Sequence, residues 1–139
     1  MREYLVLRVI TKLLLPFILL FALYVQFHGD FGPGGGFQAG VIFASGFILY
    51  ALVFGVGAAR RILPNGILRA GIACGVLIYG GVGIASLILG NNYLDFSVLA
   101  HDAKHGQHTG IFLVELGVGT TVASVMMTIF FTFASWRED

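Results

Sequence analysis

One acid stands inside a long apolar run, and three histidines precede it. The acid is Glu115, within "TGIFLVELGVGTTVASVMMTIFFTF", residues 109–133. A carboxyl group in such a segment is costly. It must face other helices or a cavity, which makes it a candidate for moving protons or cations. His101, His105 and His108 lie upstream of it. On a helix reaching back to position 101, His101, His105, His108, Phe112, Glu115, Gly119, Val122 and Met126 fall on one stripe, in steps of four and three. Histidine titrates near neutral pH, so such a row could pass protons or cations toward Glu115. His108 and Glu115 would be two turns apart, about 10 Å, a gap for water to bridge. Gly106 and Gly110 interrupt the segment.

Plainer readings compete with these. Histidines in a connection can simply be solvated. His101, Asp102, His105 and His108 could hold zinc, but nothing in their spacing requires it, and no metal is expected. Glu115 could be hydrogen-bonding glue between helices. It could be protonated by burial, pair with a group of another subunit, or share a proton with His108. Lys12 is not its partner, since Lys12 belongs at the opposite membrane face. Thr120 and Thr121 read as hydroxyls bonded back to their own helix. Met126 and Met127 read as packing contacts, and Asp30 as a solvated turn residue. The single cysteine, Cys74, excludes an internal disulfide and sits in an apolar run as a small packing residue.

A second motif draws attention, "DFGPGGGFQAGVIF" at residues 30–43. Gly34 to Ala39 has the form G-x-G-x-x-A of a dinucleotide loop. That loop needs a preceding strand and a βαβ unit, and here apolar helical segments lie on both sides. No cofactor is expected. A mechanical role fits better. Pro33 fixes φ and ends a turn, and Gly34 and Gly35 can take positive φ. Gly36, Gly40 and Ala44 then recur on one helical face, a pattern that lets helices approach closely in lipid. Similar pairs recur at Gly71 and Gly75, Gly81 and Ala85, Gly117 and Thr121, and Gly119 and Ala123.

The elements positioning these residues are membrane spans. Hydrophobic residues make up 58% of the chain and charged residues 11%, against about a quarter charged in soluble domains. Mean hydropathy is +0.92. A spanning helix needs about 20 apolar residues, and the segments near 9–27, 36–57, 67–89 and 109–133 qualify. The first carries Pro16 and lacks a small-x-small cleavage pattern, so it reads as a retained helix. Together they predict an all-α, single-domain integral membrane protein of four transmembrane helices over residues 1–139, with no room for a soluble catalytic domain. No nucleic-acid partner is expected, because the basic residues form no cluster.

Orientation follows from lysine and arginine. Arg2, Arg8, Lys12, Arg60, Arg61, Arg69 and Arg137 belong to the two termini and the connection between spans two and three. Only Lys104 lies on the other side. Both termini are therefore expected in the cytoplasm. Trp136 and Tyr24 fall near the expected interfaces.

The stretch "PGGGFQAGVIFASGFILYAL" resembles the B subunit of the Mrp-type multisubunit Na+/H+ antiporters, a domain found also in membrane-bound hydrogenase-type ion pumps. The signature is Pro33 to Phe37 at the start of the second span. Chain length and four-span layout match too. The resemblance implies an accessory subunit of a plasma-membrane complex exchanging Na+ for H+. Its partners would be other membrane subunits, with much of the proton path in large subunits related to those of respiratory complex I. His28, five positions before Pro33, receives no role from it. A purely structural scaffold is the competing reading.

Overall fold

In a computed structural model, residues 4–28, 35–90, 92 and 103–136 are described, with side chains from 109 onward in the last stretch. Among them five helices form: α1 Leu5–Phe27, α2 Gly36–Phe54, α3 Val56–Ile62, α4 Asn65–Ile88 and α5 Ala103–Trp136. No strand occurs among the described residues. Helices α1, α2, α4 and the Thr109–Trp136 part of α5 are long and apolar enough to cross a membrane. The expected all-helical, four-span architecture is the one observed.

The helix ends have local causes. Helix α2 stops at Phe54, short of the expected 57, because Gly55 takes a φ of +102°. That left-handed conformation is open to glycine at little cost. The chain then resumes as α3. Pro64 precedes α4, and its carbonyl accepts from the N–H groups of Ile67 at 3.0 Å and Leu68 at 3.3 Å. Helix α5 begins at Ala103, earlier than the expected 109. Its 34 residues make a rod of about 50 Å, against a hydrocarbon layer of roughly 30 Å. It therefore projects beyond the apolar layer.

Helix α5 is the centre of the bundle. Both α2 and α4 pack along it, and α1 packs on α2. Lipid gives helices no hydrophobic reason to associate, so close backbone contact has to do it. The glycines provide that contact. A Cβ added at Gly36 would collide with the backbone carbonyl of Glu115, and one at Gly40 would lie 2.7 Å from the Gly119 carbonyl oxygen. Gly75 and Gly117 face each other across the α4–α5 seam, where an added Cβ on either would sit 2.7 to 2.8 Å from the other's carbonyl oxygen. Gly71 lies against Ser124, and Gly46 opens a place for Leu19 of α1. The expected small-residue faces thus meet within the chain, with one exception. A Cβ at Gly81 would meet nothing within 4 Å, so that face points away from the bundle.

At the α3 end a small core closes around Ala44, Ala51, Ala59, Leu68, Met127 and Phe131. Arg60 ties α3 to α5 there. Its Nη2 donates to the Phe131 carbonyl at 3.0 Å, and its guanidinium lies 5.6 Å from the centre of the Phe131 ring.

Candidate functional site

Glu115 lies where the amino end of α2 meets α5. Its backbone carbonyl faces Gly36, and its carboxylate Oε1 would be 3.7 Å from a Cβ built on Gly35. The side chain is half-buried. Gly35 is the N-cap of α2, with φ +146° and no side-chain capping bond. The first-turn N–H groups of a helix have no acceptor within it, and that end carries positive partial charge. The carboxyl group is therefore placed beside the positive end of α2. The sequence offered burial, another subunit or His108 as settings for Glu115; the fold adds this one, because the glycines of α2 let its backbone come this close.

Two amides flank the acid. Gln38 Oε1 would be 3.2 Å from the same Gly35 Cβ position. On the other side, one turn along α5, Gln26 of α1 rests on Gly119, where an added Cβ would be 2.6 Å from Gln26 Oε1. Gln26 is 6% exposed, and its Nε2 has no hydrogen-bond partner among the described residues. Toward the opposite side of Glu115, Phe112 stacks on Phe27 of α1 at 5.6 Å between ring centroids. The end of α1 thus brackets Glu115 from above and below. Sequence reasoning missed Gln26 and Gln38. The available signal was an uncharged amide inside an apolar span, the same cue that marked Glu115.

The other expected residues fall as follows. Helix α5 already includes positions 105 and 108, so the backbones of His105 and His108 share its register with Phe112 and Glu115. His108 is seven residues from Glu115, about 10 Å along the axis. The side chains of His105 and His108 lie outside the described residues, as do His101, Asp102, Asp30, Pro33 and Gly34. The zinc alternative and most of the turn fall there too. Among the described residues, no group of three His, Cys, Asp or Glu side chains could hold a metal. Lys12 stands far from the acid: its Nζ is 5.5 Å from the centre of the Phe54 ring, at the other end of α2, and Arg8 shares that ring at 5.3 Å. Thr120 and Thr121 donate to the carbonyls of Leu116 and Gly117 at 2.8 and 2.9 Å, so both hydroxyl protons are used within α5. From Gly35 to Ala39 the G-x-G-x-x-A stretch forms the cap and first turn of α2, pressed onto α5, with no strand among the described residues.

The chain has known relatives. The family described as "Domain related to MnhB subunit of Na+/H+ antiporter" matches residues 6–128. The mnhB2 antiporter subunit of Staphylococcus haemolyticus (strain JCSC1435) is 37% identical over 136 residues, covering 96% of each chain. Those of Staphylococcus aureus (strain MRSA252) and Staphylococcus epidermidis (strain ATCC 12228 / FDA PCI 1200) are 34% and 33% identical over the same share.

Proposed function

Because the chain belongs to the family of domains related to the MnhB subunit of Na+/H+ antiporter, we propose that it is an accessory subunit of a multisubunit Na+/H+ antiporter, with Glu115 on an ion path. It is a multi-pass protein of the plasma membrane, and Na+ and H+ are the species its complex exchanges. The observation carrying the assignment is the match over nearly the whole chain, to the family and to mnhB2 relatives alike.

What supports a role for Glu115 is its setting. Its carboxyl group lies half-buried beside the amino end of α2, at the contact of two membrane-spanning helices. His105 and His108 share its helix and could relay protons along it through water. Cation selectivity and the main proton route would lie with partner subunits. The competing reading is a scaffold in which the glycine seams and Glu115 only hold helices together; a hydrogenase-type host would use the same domain.

Two measurements test the assignment. Affinity purification in mild detergent is expected to recover the chain with several larger membrane subunits. Recovery of a lone small protein would overturn the subunit reading. We also expect both termini in the cytoplasm. Tags at either end should resist an impermeant reagent in intact cells and react after lysis. Labelling of either tag in intact cells would reverse the orientation.

A further inference from the structure

Gln26 carries an amide whose hydrogen-bonding needs the fold leaves unmet. It is the last residue but one of α1, a span apolar along its length. Only 6% of it is exposed, and its Nε2 is shielded from outside and makes no hydrogen bond among the described residues. Hiding an amide without a partner is costly, and lipid offers no water to relieve it. Packing does not require one here. Gln26 helps line a cleft whose wall includes Ala22, Leu23, Ala39, Leu116 and Ala123. Methionine, of similar length, would suit such neighbours without that cost. A buried donor left in this way has a reason other than stability.

Its position supplies that reason. The amide lies where Gly119 has no side chain: a Cβ there would be 2.6 Å from Gln26 Oε1 and 3.2 Å from the Gly36 carbonyl oxygen. Gly36 is also the residue against which the Glu115 carbonyl packs. Glu115 and Gly119 are four residues apart on α5, about 6 Å along the axis. Since Nε2 is closed to solvent, an acceptor for it must come from inside the bundle. The hydroxyl of Thr120, beside Gly119, is turned to the Leu116 carbonyl. From Gly119 back to Glu115 no polar side chain intervenes on α5. An amide also suits an acid that changes state: its N–H donates to a carboxylate, and its C=O accepts from a carboxylic acid. We propose that Gln26 is a positioning residue for Glu115. Its side chain turns from Gly119 to hydrogen-bond the carboxyl group as that group takes up and releases a proton, and so holds the acid in place for exchange. This role rests on the ion-path reading of Glu115 and adds α1 to it.

The test uses the intact complex in everted vesicles. Gln26→Met keeps the length of the side chain and removes its donor and acceptor. Because Nε2 has no partner among the described residues, this variant should assemble at least as well as wild type. Its rate of exchange is expected to fall about tenfold, the weight of one hydrogen bond to a charged group. Gln26→His, which again offers a donor and an acceptor, should recover most of the rate. Glu115 also gives a direct signal. The infrared carboxyl band that appears on acidification in wild type and is missing from Glu115→Gln belongs to Glu115. In Gln26→Met that band should move to higher wavenumber, because the amide N–H no longer donates to its C=O. A packing role for Gln26 would move neither the rate nor the band. Wild-type exchange in Gln26→Met, an unmoved band, poor assembly of that variant or no recovery in Gln26→His would each overturn the proposal. Normal exchange in Glu115→Gln would instead remove the ion-path reading itself. Impaired exchange there with normal exchange in Gln26→Met removes only the role of Gln26.

Discussion

Glu115→Gln is expected to cut Na+-dependent proton exchange by about two orders of magnitude, the lower end of what a positioned proton-transfer group contributes, while the complex still assembles. The substitution keeps the size of the side chain and an oxygen that accepts hydrogen bonds. It removes the capacity to bind and release a proton. If Glu115 acts only as glue between α5 and the amino end of α2, the amide serves nearly as well and exchange is unchanged. The measurement is exchange in everted vesicles, with subunit content checked in the same membranes. Normal exchange with an intact complex would remove Glu115 from the ion path and leave the scaffold reading. Glu115→Asp, which retains the titratable group one methylene shorter, should keep more activity than the amide.

A single methyl group at Gly36 should be as damaging, by another route. In Gly36→Ala the new Cβ meets the backbone carbonyl of Glu115. Backbone cannot rotate away as a side-chain tip can, so α2 and α5 must separate. Overpacking of this kind typically costs about 1–3 kcal/mol, and helices in lipid have little else holding them together. The chain should be poorly recovered in membranes, and its partners should lose it on purification. Gly57→Ala and Gly80→Ala are the matched controls, since a Cβ at either meets nothing within 4 Å. Wild-type recovery of Gly36→Ala would mean that α2 and α5 do not approach as closely as described. Because the obstructing atom belongs to Glu115 itself, any Gly36 variant that does assemble should also show impaired exchange if the ion-path reading holds.

These two residues show how the layers of information divide. Glu115 was legible because an acid in an apolar run is conspicuous. Gly36 was legible as part of a small-residue face, though not as the neighbour of Glu115. Gln26 and Gln38 went unnoticed, since an uncharged amide stands out little against solvated connections. The break at Gly55 was hidden within an unbroken apolar run: a glycine's φ is not written in hydropathy.

The sequence alone determined the solvent of this protein, the number of spans and the residues able to come close. Each of these is a property of composition or of spacing along one helix. Only the tertiary structure decided which glycine face meets which, that α5 is central, and that the amino end of α2 lies beside Glu115. In lipid every apolar face is equally content, so hydropathy cannot choose partners. The choice is made by fit between backbones at the glycines, and that fit exists only once the helices are placed together.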